Sequence, residues 1–478
     1  MTRIEQKLID FITRFFPLIL LVVVSVIGAL LRIQGMSFQS MDYHYYLHPW
    51  WETIKAQGWQ GLSTQVGNYN IPYQIIILLM SMLPIEPLEA YKVLSIIFDY
   101  GLAFSAGLLV YQFINKRNFL APVITYSLVL CSLTVVFNSS FWSQCDSMYV
   151  TFILLSIYFL FRNKHIICFV MLGVAFALKL QFVFILPAFI YYYLSTKKIS
   201  ILHFLIIPAV DILLCLPAVF FGRPFYEIFT IYINQTTSHP EMVLNLPNLY
   251  NFFLVQYKDG DFELFSRFAV FFTFAVLGVM AGLILGKRYD LKDGRKFLLT
   301  ACWASFTCIM LLPAMHERYG YLTDILLIIY AVIYKKNILP AVVCNLVSLY
   351  CYSEYLFSNT INIRFASYFY IGFYLYFTWI YIKDILGLDS PRSRKKHSGK
   401  KSQNRRSTKT APDEQPSGAV FQCARQRSKK RRRTFSPSCP NEPKAECLIH
   451  DKSPLKTKRL TRKVSLSFIY PNAWFRSF

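Results

Sequence analysis

Residues 18–31 read LILLVVVSVIGALL, an uncharged run of apolar and small residues closed by Arg32. With its flanks, 13–33, the run is long enough to cross about 30 Å of hydrocarbon as a helix. No small-residue cleavage site follows it, only Arg32 and a polar-aromatic stretch, so it reads as a first membrane span and not as a removable signal. Similar runs recur near 89–114, 119–137, 147–161, 165–180, 182–196, 200–221, 263–286, 297–314, 321–334, 338–353 and 364–385. Several are short and rely on tilt or on aromatic flanks. The pattern predicts an all-α polytopic membrane protein of about twelve transmembrane helices.

Composition supports this reading. Of 478 residues, 55% are hydrophobic, 17% aromatic and only 16% charged, against roughly 25% charged in a soluble globular protein. The net charge of +24 is unevenly spread. From Leu386 onward there are 24 Lys/Arg against 6 Asp/Glu, which leaves 26 against 20 in the first 385 residues. These numbers exclude a soluble enzyme, a disordered chain and a basic nucleic-acid-binding fold. They divide the chain into a membrane domain, 1–385, and a basic cytoplasmic tail, 386–478. The tail is rich in Ser, Lys, Arg and Pro and should be mostly disordered, touching anionic membrane lipids. Nucleic-acid binding is the weaker reading of its basic run, Arg425 to Arg433. The cysteines form no framework; most lie singly in apolar stretches, and no Cys/His spacing suggests a metal.

Lys and Arg collect on the cytoplasmic side of a membrane protein. The basic loops are the N-terminus (Arg3, Lys7, Arg14), Lys116-Arg117, Arg162 to Lys164, Lys197-Lys198, Lys287 to Lys296, Lys335-Lys336 and the tail. The loops between them, 34–88, 138–146, 222–262, 315–320 and 354–363, lack clustered positive charge and fall outside. Twelve spans with both termini cytoplasmic fit this alternation. The apolar stretch Ile71 to Leu83 does not, because a crossing there would move Lys116-Arg117 to the outer side. It is expected to be a re-entrant or surface helix of the first outer loop.

Polar residues with chemical potential gather at the outer ends of the spans, where a wet site is affordable. The first outer loop opens Ser40-Met41-Asp42-Tyr43-His44-Tyr45-Tyr46, and the second reads Asn138 to Ser147 with Trp142, Gln144 and Asp146. Either aspartate has an alternative reading as a helix cap, and Trp142 as an interfacial belt residue. Lys179-Leu180-Gln181 places an ammonium where an anion must neutralise it, and phosphate suits its compact charge. His316-Glu317-Arg318-Tyr319 adds a guanidinium able to fork onto phosphate oxygens, the alternative being a self-neutralised Glu317–Arg318 pair. Asp99 and Asp211 fall inside spans as candidate structural polar groups. Asn138-Ser139-Ser140 and Asn234-Gln235-Thr236 have the form of glycosylation acceptors. Asn245 to Tyr250 is a candidate edge of an acceptor groove.

In order and sidedness these residues resemble the GT-C membrane glycosyltransferases, nearest the bacterial mannosyltransferase-like proteins related to the enzymes of glycosylphosphatidylinositol assembly. The resemblance rests on the outer-loop Asp42, the W-x-Q-x-D of Trp142, Gln144 and Asp146, the K-x-Q of Lys179 and Gln181, and the H-E-R-Y of His316 to Tyr319. It covers roughly residues 10 to 385 and leaves the tail aside. It implies transfer of a hexose, mannose by the nearest group, from a polyprenyl-phosphate donor to a glycan or lipid acceptor outside the cytoplasm, with inversion. Asp42 corresponds to the general base, and Asp146 to an acid that orients a sugar. Lys179 and Arg318 correspond to phosphate ligands, joined by His316, with Trp142, Gln144, Gln181, Glu317 and Tyr319 in support. Three departures stand out. Ser40 occupies the position where D-x-D relatives carry a second acid, so a divalent metal stays open but lacks the support of a D-x-D motif, and no other cofactor is expected. Ser143 replaces the usual Gly, and Leu180 the usual Pro.

The competing class is a multi-span transporter or flippase for a lipid-linked saccharide. Transporters tend to carry internal repeats and midplane polar residues, whereas here no repeat is evident and the polar clusters sit at outer ends. A membrane acyltransferase would call for a His-rich motif that is not evident. The residues suit the cell membrane, a bacterial plasma membrane ahead of the endoplasmic reticulum.

Overall fold

The computed structural model describes residues 1–114, 119–237, 241–253, 261–334 and 338–388. Lys116-Arg117, Lys335-Lys336 and the basic tail past Leu388 lie outside the described residues. Those described belong to one unit, 1–406, and about four-fifths of them are helical. In chain order the helices are α1 (Arg3–Ile33), α2 (His48–Gln57), α3 (Ile71–Ser81), α4 (Pro87–Phe113), α5 (Leu120–Leu130), α6 (Leu133–Val136), α7 (Asp146–Phe161) and α8 (His165–Leu178). They continue with α9 (Leu186–Thr196), α10 (Ile206–Phe220), α11 (Glu227–Thr237), α12 (Asp261–Gly286), α13 (Gly294–Leu311), α14 (Tyr321–Ile333), α15 (Leu339–Phe357) and α16 (Ile363–Ile385).

Every one of the twelve apolar runs coincides with a helix, but local chemistry moves their ends. Helix α1 starts ten residues before the apolar run, because Thr2 and Glu5 form a reciprocal capping box. The run 119–137 is broken: α5 ends at Cys131, and the segment 133–141 leaves it at 48°. The run 182–196 opens as a 3-10 turn, Leu180–Ile185, before Pro187 begins α9. The loop 34–88, expected on the outer side, holds two helices, α2 and α3, and α3 is half-buried against α8 and α10. One small departure from all-α is a parallel pair of two-residue strands, β1 (Val243–Leu244) and β2 (Met315–His316).

Four helical stretches are long and apolar enough to cross a membrane: α1, α4, 201–220 and α12; the bent pair beginning at α5 makes a fifth. Their outer faces carry bare hydrocarbon. Phe268, Phe271 and Phe274 of α12 are all about two-thirds or more exposed, as are large parts of Val22, Val26 and Leu30 on α1. Apolar surface on this scale asks for a nonaqueous neighbour. Helices α13, α15 and α16 interleave Tyr, Ser and Thr among their apolar residues, which lowers their hydropathy.

Inside, α4 packs against α5 and α7, α7 against α8, α8 against α10, and α13 against α14 and α16. Gly28 lets α1 approach α5 closely, since a Cβ there would stand 2.7 Å from Leu130. That approach brings Arg32 to Asp99 of α4 at 2.8 Å, with both side chains 1% exposed. The remaining guanidinium donors go to the carbonyls of Gly28 (2.9 Å) and Leu130 (3.0 Å). Asp99 is thus part of an ion pair, and Asp211 of α10 accepts from Asn70 at 2.9 Å.

Removing one member of a buried pair strands the other. Asp99→Ala is expected to cost about 3–5 kcal/mol and to lower the unfolding temperature in detergent sharply, whereas Arg32→Met with Asp99→Leu should recover most of the loss. A thermal-shift comparison in which the single variant melts with the wild type would refute the pairing.

Candidate functional site

Buried contacts tie the loops 34–88 and 138–146 together. Lys92 of α4 is fully buried, and its ammonium donates to the carbonyls of Gly35 (2.7 Å), Met36 (3.2 Å) and Phe38. This grip fixes the path from the end of α1 into Asp42. Two residues earlier, Ser40 donates to the Trp142 carbonyl at 3.1 Å and accepts from the Tyr43 amide at 3.2 Å. Ser40 therefore joins the loop 34–88 to the loop 138–146.

The second loop closes on itself. Residues Phe137–Phe141 form a π turn, Trp142 donates its amide to the Phe137 carbonyl at 2.9 Å, and Gln144 to that of Asn138 at 2.9 Å. At its corner Ser143 takes φ 65°, the left-handed conformation that glycine adopts without strain. Its hydroxyl is buried without a partner.

Asp42 does not cap a helix: its backbone is helical and its side chain makes no cap bond. Its Oδ2 accepts from Trp142 Nε1 at 2.8 Å and from Gln144 Nε2 at 2.6 Å, and its Oδ1 from the Tyr355 hydroxyl. Trp142 is not a belt residue either. It is fully buried, stacked on Tyr355 with ring centroids 4.5 Å apart.

Asp146, the first residue of α7, likewise makes no cap; Cys145 holds that position. Its oxygens accept from Lys179 Nζ at 2.6 Å and from Asn138 Nδ2 at 2.9 Å. The anion that neutralises Lys179 is therefore Asp146 itself. Lys179 ends α8 in an extended conformation, φ −157° and ψ 134°, the region a following proline would impose, so Leu180 keeps the same path. Arg318 sits in a 3-10 turn, Glu317–Gly320, behind β2. Its Nη1 is 3.3 Å from Glu317 Oε1 and 3.7 Å from Asp42 Oδ2, and its guanidinium lies 5.5 Å from the Trp142 ring. Burial alone would lower its pKa; the Asp42 carboxylate and other neighbours outweigh that and hold it above its ordinary value. His316 Nδ1 is 3.9 Å from Glu317, an ion pair whenever the imidazole is protonated.

These elements surround a cleft of about 200 Å³ whose wall includes Asp42, Gln144, Lys179, Gln181, His316, Arg318 and Tyr319. Of the residues singled out in the sequence, Trp142, Asp146 and Glu317 stand behind that wall and hold its members in place. Other wall residues, Leu47, Asn68, Tyr69 and Tyr355 among them, were missed. Tyr355 falls in an outer segment with no motif of its own. Tyr69, which donates to Gln144 Oε1 at 2.9 Å, and Trp50 sit among many other aromatics of the first loop. Asn245 to Tyr250 is not part of the wall. It braces the H-E-R-Y turn through β1–β2, an Asn245–His316 bridge and the Tyr250 hydroxyl on the Leu311 carbonyl. The sequon residue Asn138 is buried and donates to Asp146, so it is not an exposed acceptor. Among the described residues no group of three or more His, Cys, Asp or Glu side chains is arranged to hold a metal ion. No protein-family model and no curated protein sequence matches this chain.

Glycine at the corner would relieve the left-handed backbone, worth about 1 kcal/mol, and remove a buried unpartnered hydroxyl; a more flexible unfolded chain offsets part of the gain. Ser143→Gly is expected to match or slightly exceed the wild-type melting temperature. Ser143→Val, β-branched at a positive φ, should lose about 1–3 kcal/mol. A valine variant as stable as the wild type would show that the corner is unstrained.

Proposed function

We propose that the protein is a membrane glycosyltransferase, moving a hexose from a polyprenyl-phosphate donor to a hydroxyl of a glycan or lipid acceptor. Mannose is the hexose that the family resemblance favours. The observation that carries this reading is the convergence of Asp42, Lys179 and Arg318 on one aromatic-walled cleft. They come from distant parts of the chain and supply one base and two cations, the inventory such a transfer needs.

The chemistry is a direct displacement. The acceptor oxygen forms a bond to the anomeric carbon while the bond from that carbon to the phosphate oxygen breaks, its electron pair leaving with the phosphate. Lys179 and Arg318 stabilise the charge that develops on the leaving group. The acceptor proton passes to Asp42, which must lie within hydrogen-bond reach of the hydroxyl. Inversion follows from a single displacement. Asp146 acts at one remove by aiming Lys179, and Glu317 by aiming Arg318. Gln144, Gln181, His316, Tyr319 and Tyr355 are suited to hold a sugar ring and its hydroxyls, with Trp142 backing the Tyr355 ring.

Helices at all twelve apolar runs support a body of twelve crossings in the cell membrane, a bacterial plasma membrane by preference. Both termini are then cytoplasmic. The cleft, built from loops without clustered positive charge, opens on the outer side, with α3 as a re-entrant or surface helix beside it.

The test is transfer from polyprenyl-phosphate mannose in isolated membranes, together with mass analysis of surface glycans and lipid-linked intermediates after chain deletion. Deletion should remove one hexose from a defined glycan. Asp42→Asn should reduce transfer by about a hundredfold or more at normal membrane levels of the protein; an unchanged rate would sink the assignment of the base.

A further inference from the structure

The two cations of the cleft are held very differently. Lys179 is committed to Asp146 at 2.6 Å, in a pair whose side chains are 2% and 1% exposed. Arg318 is held by longer contacts, 3.3 Å to Glu317 and 3.7 Å to Asp42, the second beyond hydrogen-bond reach. Its Nε is buried without a partner. The carboxylates stabilise the guanidinium by charge but at distances that leave N–H donors without a close acceptor, and a phosphate offers it a bidentate one.

Asp42 presents the complementary situation. A hydroxyl that is to lose its proton there must reach one of the carboxylate oxygens. Three neighbours are fixed in place: the buried Trp142 indole, the Gln144 amide at 2.6 Å, and the Tyr355 phenol whose ring stacks on Trp142. Arg318, facing Oδ2, is the neighbour with the weakest hold.

We propose that Arg318 is a gate: it stands against Asp42 until the phosphate of the donor, a phosphodiester, draws it away, which lifts its charge from the carboxylate and lets Asp42 act as base on an acceptor hydroxyl at Oδ1, beside the Tyr355 phenol. The inference rests on the glycosyltransferase reading and adds an order to it, donor before acceptor. The gate itself makes and breaks no covalent bond. Linkage is reciprocal, so Asp42 must oppose phosphate binding through Arg318 as strongly as phosphate frees Asp42.

The test is calorimetric binding of dodecyl phosphate and of inorganic phosphate to the purified full-length protein in detergent. The wild type, Asp42→Asn, Arg318→Gln and the double variant are compared. Asp42→Asn should bind dodecyl phosphate about five- to tenfold more tightly, and Arg318→Gln more weakly than the wild type. In the Arg318→Gln background the Asp42→Asn gain should shrink below about twofold. No gain, or a gain undiminished in that background as simple charge repulsion gives, overturns the gate while leaving the transferase reading standing. If the wild type binds neither phosphate, the transferase reading falls and takes the gate with it. Similar gains with both probes assign the effect to the phosphate group, and a gain with dodecyl phosphate alone to a lipid-borne phosphate; either supports the gate. Should Asp42→Asn fail to fold, the wild type carries the test. Withdrawal of Arg318 from the Trp142 face should change tryptophan emission on adding dodecyl phosphate, and Trp142→Phe should abolish that change. Steady emission in the wild type overturns the proposal.

Discussion

Lys179 and Asp146 meet at 2.6 Å in a place from which solvent is almost excluded, and much of the site follows from that pairing. A lone charge so deep in apolar surroundings is costly, so each must arrive with its counterpart. The pair joins the C-terminal end of α8 to the first turn of α7 and, through Asn138, to the second outer loop. That loop then presents Trp142 and Gln144 to Asp42. One electrostatic requirement thus organises three separate stretches of chain into one wall.

The same logic recurs away from the cleft with different partners. Arg32 finds a carboxylate, Asp99, and two carbonyls. Lys92 uses three carbonyls of the first outer loop, and Arg223 takes the carbonyls of Leu62 and Thr64 with the amide oxygens of Gln65 and Gln74. The last two are loop clasps: a cation anchored on a helix, or just beyond one, gathers backbone oxygens that would otherwise go unsatisfied at the edge of an apolar body. Asp42 on one side and Tyr69 on the other sit on segments fastened in this way. A shaped cleft needs such fastening, because loops that carry reactive groups are otherwise the least constrained part of a helical protein.

Much of this was legible from the residues. Apolar run length located the helices of the body, since a long buried apolar stretch must satisfy its own backbone hydrogen bonds and does so as a helix. The clustering of Asp42, Gln144, Lys179 and Arg318 at like ends of those runs foretold a shared wall. The breaks were less visible: the bend after α5 and the 3-10 turn after Lys179 depend on tertiary packing, which hydropathy does not record. Partner choice was invisible as well. Nothing in the sequence says that Asp146 spends its charge on Lys179, or that Ser40 ties two loops together. Tyr355 could not be singled out, because one tyrosine among many becomes special only when folding sets it beside Trp142.

The hydroxyl of Tyr355 reaches a carboxylate 313 residues earlier in the chain. A ribosome adding about 5–20 residues per second takes roughly 15 to 60 s to cover that distance. Throughout that interval the first outer loop exists without its closing partner, its aspartate bound at best to neighbours from the second. The final shape of the cleft is therefore a late event in the biogenesis of the molecule, and any chain that stops short of α15 leaves Asp42 without its most distant donor.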